Sequence, residues 1–181
     1  MSSGLWMEFV NSDRHDYLGT GRRMDSLDDP KWLDGFLKRW GLETRPGPRA
    51  RLLPALRGLR RLLQRKADAI ARGRRVESLD FRDLNAYLGK APLLRKLDVA
   101  GKRARVRLEP VRRTESSILA EIVASFAETL ADGEASRLKL CDNQDCRWVF
   151  SDNSKNRSRR WCGSTCGNLM KVRRFRKGKK S

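Results

Sequence analysis

Apolar positions fall into blocks of distinct period. A first patch, Leu5-Trp6-Met7-Glu8-Phe9-Val10, precedes the turn-rich stretch NSDRHDYLGTG. Asp29-Pro30 then supplies an acidic cap and a proline at a helix start. Trp32, Leu33, Phe36, Leu37 and Trp40 recur at helical spacing, and Gly41 ends the pattern. After a linker with two prolines, ETRPGPR, a longer helix is predicted over about 50–72. Leu52, Leu53, Leu56, Leu59, Leu62, Leu63, Ala67 and Ile70 make its apolar face, which reads as core packing. Arg57, Arg60, Arg61 and Arg65 fall largely outside that face and read as solvated, and Gly73 suits the helix end. Ser78 is a candidate cap for a third helix bearing Leu79, Leu84 and Leu88 and stopped at Gly89. Segments 93–99 and 104–111 flank Gly101-Lys102, and Arg103, Arg105 and Arg107 alternate with Ala104, Val106 and Leu108. This predicts a hairpin with one wet face. A final helix over roughly 114–131 buries Ile118, Leu119, Ile122, Val123, Phe126 and Leu130, and Asp132-Gly133 breaks it. Residues 1–136 therefore read as a mainly helical α+β domain with a small sheet.

The 181 residues suffice for one domain plus a small module. Lys and Arg total 41 against 22 Asp and Glu, a formal charge of +19 that makes a polyanion the first candidate partner. No stretch approaches the roughly 18 apolar residues of a membrane span. The start, MSSGLWMEFVNSDRHD, lacks the basic and apolar regions of a signal peptide, so a cytoplasmic protein without a membrane partner is expected. A single histidine, His15, excludes mechanisms that need two. With Asp13 and Asp16 it is the only hint of acid–base chemistry, and no phosphate-binding loop or dinucleotide fingerprint occurs, so no enzyme is expected.

Charge and sulfur share one segment. Residues 137–181 hold 14 Lys and Arg against 3 acids, a net of +11, and all four cysteines. These read Cys141-x4-Cys146-x15-Cys162-x3-Cys166, two close pairs parted by a loop, which is the grammar of a structural zinc site. Four thiolates close a tetrahedron and leave no position for a catalytic water. Two disulfides or four plain thiols are the alternatives, disfavoured in a cytosolic chain, and an iron–sulfur cluster is another. Segments 147–150 and 159–162 are expected as strands around the polar turn SDNSKNRS, with Ser164 capping a helix that carries Cys166, Leu169, Met170, Val172 and Arg173. Knuckle, hairpin and ligand-bearing helix make a treble-clef-like unit. Trp148, Phe150, Trp161 and Leu169 offer it only a modest core, so one structural zinc ion per chain is expected as its staple.

The run Arg159-Arg160-Trp161-Cys162-Gly163-Ser164-Thr165-Cys166-Gly167-Asn168, with Cys141, Cys146 and the turn 150–156, resembles the CGNR zinc-finger family. Phe9-Val10-Asn11-Ser12, Asp25-Ser26-Leu27 and the Trp32–Leu42 helix resemble the ABATE domain that usually precedes this finger. The resemblance implies an ABATE-like sensor domain over 1–136 and a finger with a basic tail over 137–181. It also implies a bacterial, stress-linked, DNA-binding transcription regulator. The motif that names the family ends in Arg, where this chain has Leu169, and Arg173 and Arg174 lie about one turn further on.

Cations bind phosphate by displacing counterions. Lys155, Arg157, Arg159, Arg160, Lys171, Arg173, Arg174 and Arg176 are the candidate phosphate ligands. Asn168, Lys171 and Arg173 or Arg174 are the candidates for base edges, and Asn168 also suits a structural bond beside the metal loop. The Lys177–Lys180 tail reads as disordered. DNA is the favoured partner. RNA or ribosome binding through stacked Trp148 and Trp161, or a zinc-stapled protein-interaction module, are the alternatives. The first domain is expected to sense an unidentified small ligand or protein partner.

Overall fold

The computed structural model describes residues 4–43, 49–101 and 103–179, so most of the linker, Lys102 of the hairpin turn and Lys180 of the tail lie outside the described residues. The first apolar patch folds as helix α1 (Gly4–Val10), which buries Trp6 and Phe9 completely. A short hairpin, β1 (Asp13–His15) and β2 (Arg23–Asp25), follows within the turn-rich stretch. Helix α2 (Pro30–Arg39) starts as expected. The Asp29 carboxylate accepts from Lys31 N at 2.9 Å, Pro30 occupies the first turn, and Gly41 follows with φ +63°.

Helix α3 (Arg49–Ala71) lays Leu56, Leu59, Leu63 and Ala67 into the core. Gly73 takes φ +87° beyond its end, and Arg74 N donates back to Ala69 O at 3.0 Å. Its arginines are not all solvated. Arg60 is buried and grips the Asp25 carboxylate, donating also to Ser12 Oγ at 2.8 Å. The carboxylate supplies what a buried guanidinium needs, and it comes from a segment 35 residues away.

Helix α4 (Arg82–Leu88) stops before Gly89 and buries Leu84, but Ser78 does not cap it. Ser78 ends a 3-10 turn, Val76–Ser78, and donates to Arg75 O, while Asp80 accepts from Arg82 N. Strands β3 (Leu93–Ala100) and β4 (Arg103–Pro110) pair antiparallel as expected. Both faces of this hairpin are wet rather than one, because none of the described elements covers its aliphatic side.

Helix α5 (Glu115–Ala131) opens with a reciprocal cap between Thr114 and Ser117 and buries Ile118, Ile122, Val123 and Phe126. Trp6 stands edge-on to Phe126 at 4.9 Å, and its Nε1 donates to Thr129 Oγ1 at 2.8 Å. Gly133, with φ +73°, turns the chain into β5 (Leu138–Leu140), which pairs with β6 (Val149–Ser151). Helix α6 (Ser164–Gly178) closes the chain. The fold is thus a mainly helical α+β body with two-stranded antiparallel sheets and a C-terminal four-cysteine unit. Among the described residues no helix is long and apolar enough to cross a membrane.

Candidate metal centre and cationic face

Three short elements bring the sulfurs together. Cys141 leaves β5, Cys146 closes the turn before β6, Cys162 lies just before α6, and Cys166 sits in its first turn. The four Sγ atoms lie within 4.8 Å of one another, with Cys146–Cys162 at 3.7 Å and Cys162–Cys166 at 3.8 Å. Disulfide sulfurs stand about 2.05 Å apart, so these are not bridges. Four sulfurs each about 2.3 Å from one ion at tetrahedral angles stand about 3.8 Å apart. The cluster therefore fits a tetrahedral metal, and Cys141, Cys146 and Cys166 are buried.

The local sequence builds this shape. The strand partner of β6 is β5, upstream of the first cysteine, and not 159–162, which lies in an irregular run and touches the knuckle through Asp142 N donating to Arg160 O at 2.8 Å. Arg147 takes φ +56° immediately after Cys146, the left-handed turn that swings the chain back into β6. The polar turn is organised by one buried carboxylate. Asp152 accepts from Ser154 N at 3.0 Å, Arg159 N at 2.8 Å and Lys139 Nζ at 2.6 Å. Burial works against the charged form, but these donors outweigh it and hold Asp152 well below the usual carboxylate range. The N-cap of α6 is Gly163, one residue before the expected Ser164, and Lys177 is helical instead of part of a loose tail.

Without a metal the thiols compete for protons. A hydrogen bond from Cys162 draws Cys146 down to about 6. That same bond, with burial, pushes Cys162 far above the ordinary thiol range, and burial pushes Cys166 up to about 11. A divalent ion would replace this mutual repulsion with attraction. Asn143, fully buried between the cysteines in sequence, aims Nδ2 at Cys166 Sγ at 3.7 Å.

Two asparagines also tie the finger to the helical body. Asn143 Nδ2 donates to Tyr17 O at 2.8 Å. Asn11 Nδ2 donates to Val149 O at 2.9 Å, and its Oδ1 accepts from Val149 N at 3.0 Å. Arg173 completes the junction, pairing with Asp145 at 2.9 Å and donating to Leu18 O at 2.8 Å. The loop that offers these carbonyls is held by Asp16, which accepts from Leu18 N, and packs so closely that a Cβ on Gly19 would stand 2.8 Å from Asp145. Asp13 is taken by Arg23 at 2.6 Å. The two acids beside His15 are thus structural. None of these junction roles was legible from spacing; a polar Asn inside a cysteine knuckle was the available signal.

The named cations divide into committed and open groups. Arg157 donates to Ser136 Oγ, and Arg159 donates to Cys162 O and covers the Phe150 ring. Arg160 pairs with Asp142 and lies over Trp161. Among the described residues Lys155, Lys171, Arg174 and Arg176 are exposed, and their side chains make no hydrogen bond or ion pair. On α6 the set Cys166, Leu169, Met170 and Arg173 has the spacing of one helix face and turns inward, and Asn168, Lys171, Val172 and Phe175 have the same spacing on the outward face. Leu169, the departure from the family motif, is half-buried on the inner side. A groove of about 760 Å³ runs along α6, with Trp161 and Met170 among its lining and Arg160, Arg174 and Lys177 around them. A second cleft, of about 1240 Å³, lies between body and finger and draws His15 and Arg72 from one and Arg147 and Arg159 from the other.

Family models match both parts. One described as "CGNR zinc finger" covers residues 137–179. The other, ABATE, described as "Putative stress-induced transcription regulator", covers residues 3–133. No curated protein matches the chain. Helical body, close-set sulfurs and matched motifs agree: the chain belongs to the ABATE family and carries a CGNR zinc finger after that domain.

Proposed function

We propose that this chain is a cytoplasmic, bacterial DNA-binding transcription regulator whose finger is stapled by one structural zinc ion. Cys141, Cys146, Cys162 and Cys166 would hold that ion, which supplies folding energy and no open coordination position. The observation that carries the reading is the outward face of α6. It is mounted directly on the four-sulfur centre and presents Asn168 and Lys171 beside Val172 and Phe175, with unpaired Arg174 and Arg176 at its flanks. A helix of this width fits the major groove, where Asn and Lys read base edges and apolar side chains meet thymine methyls. Arg174, Arg176 and Lys155 would neutralise phosphates, with Arg157, Arg159 and Arg160 reaching them at the cost of present partners. Arg173 acts as a positioning residue.

The body would sense a signal. The cleft between body and finger, where Lys139, Arg147, Arg157, Arg159 and Arg160 of the finger face Asp13, Asp68 and Arg72 of the body, is where an anionic ligand would change how the two fit. A second reading, RNA or single strands, is favoured by Trp161 in the groove beside α6, where an unpaired base could stack.

Fluorescence anisotropy with duplex DNA, structured RNA and single strands, across a salt series, tests the choice. Tightest binding to duplex, with log K falling linearly in log salt, is the expected result. Tighter binding to RNA or single strands would overturn it in favour of the second reading.

A further inference from the structure

The hairpin β3–β4 carries a pattern that its surroundings do not satisfy. Its register sets Leu97 opposite Val106, Val99 opposite Ala104, Arg95 opposite Leu108 and Leu93 opposite Pro110. Residues directly opposite share a face, so one side is aliphatic with Arg95 as its single charge. The other side, apart from exposed Leu94, is mostly charged and partly paired within itself. Lys96 meets Glu109 at 3.6 Å, and Arg107 bridges Asp98 and Glu109. Alternation of this kind, from Arg95 to Leu108, matches a sheet with one face packed against another layer. Yet Leu97 is 70% exposed, Val99 75%, Val106 63% and Leu108 60%. A lone two-stranded hairpin is marginal in water, so a covering layer is the missing half of this structure.

We propose that the layer is the same face of a second copy of this chain, the two hairpins stacking about a two-fold axis. The area fits. Leu93, Leu97, Val99, Val106 and Leu108 together leave about 600 Å² open, the top of the range for the largest apolar patch on a monomer. Two such faces hide about 1,200 Å², the lower bound for a stable interface. The chemistry fits as well, because a two-fold contact requires a surface complementary to itself. An aliphatic face meets that condition, whereas nucleic acid would need cations where this face has only Arg95. The inference is independent of what α6 binds. Each copy carries +19, so salt screens repulsion between copies and strengthens the dimer, opposite in sign to phosphate binding.

Sedimentation equilibrium of the full chain across the micromolar range, at low and high salt, tests this. The expected mass rises from one chain, 20.8 kDa, toward two, and rises further with salt. The double variant Leu97→Lys/Val106→Lys should remain a single chain with unchanged helical circular dichroism. Lys96→Ala/Arg105→Ala, on the opposite face, should dimerise like the parent. If the lysine pair disturbs folding, Leu97→Ser alone should weaken dimerisation at least tenfold. A parent protein that stays monomeric throughout overturns the proposal, as does a dimer that survives the folded Leu97→Lys/Val106→Lys variant. A monomer that attaches to neutral lipid vesicles through this face also overturns it.

Discussion

The side-chain amide of Asn11 occupies both hydrogen-bonding groups of Val149, as a neighbouring strand would. One side chain from the end of α1 thus fixes the position of the knuckle strand against the body. The finger is set in place by this pair, by Asn143 on Tyr17 and by Arg173 on Leu18.

Asn11→Ala should therefore loosen the finger without harming the helical core. It leaves a partly buried N–H and C=O unpaired, a cost of about 2 kcal/mol. Denaturant unfolding followed at the tryptophans and by amide exchange should show the loss at residues 138–151 first. Uniform loss over the α1, α3 and α5 helices would contradict the bolt-like role.

Metal analysis should find one zinc per chain in protein purified without added metal. Cys162→Ser should bring this to less than a tenth and unfold the finger while the helical body persists, because a structural zinc contributes about 10–16 kcal/mol to such small units. A parent protein without zinc, or an unchanged finger without it, would remove the metal from the account, and full zinc content in Cys162→Ser would remove Cys162 from the ligands.

The Arg60–Asp25 pair predicts a pH dependence of the body, away from the sulfurs. Burial raises the Asp25 pKa, but the hydrogen bonds from Arg60 and Leu27 N and the charges of Arg60 and Arg57 together outweigh it, and the net shift is downward. Unfolding therefore takes up a proton, and the pair's contribution is full above about 4 and is lost as pH falls further. Asp25→Asn should cost about 3 kcal/mol at neutral pH, since it strands a buried guanidinium. It should also flatten the acid limb of a stability–pH curve. An unchanged limb would assign that limb to other carboxylates.

On α6, Arg174→Ala and Arg176→Ala should each weaken duplex binding and reduce the salt slope by about 0.9. Arg173→Ala should leave the slope unchanged, acting instead through the junction with Asp145 and Leu18 and destabilising the finger. A slope lowered equally by Arg173→Ala would place that guanidinium on the phosphates.

Signals that were local in sequence were legible. Asp29-Pro30 and Gly41 bounded α2, the leucine stripe marked α3, and Thr114 and Gly133 bracketed α5. The cysteine spacing anticipated the sulfur cluster because each close pair needs only a turn. What escaped depends on partners distant in the chain. Arg60 read as solvated because Asp25 lies 35 positions away, and three-residue strands such as β1 and β2 are too short to show a period. The partner of β6 was misplaced because 138–140 and 159–162 both sit beside the knuckle, and only the first pairs with it. The hairpin β3–β4 had the right period, but a period cannot say whether the chain itself supplies the cover.

Strand β5 begins at Leu138, inside the finger's family match and past the body's, which ends at residue 133, yet Leu138 and Val149 are buried within the helical body's own core. The chain therefore has no clean seam between its two matched parts. A finger exchanged between relatives at residue 136 would carry half of a hydrophobic contact into a host shaped for another. Recombination here would succeed only where α3 and the knuckle strands travel together.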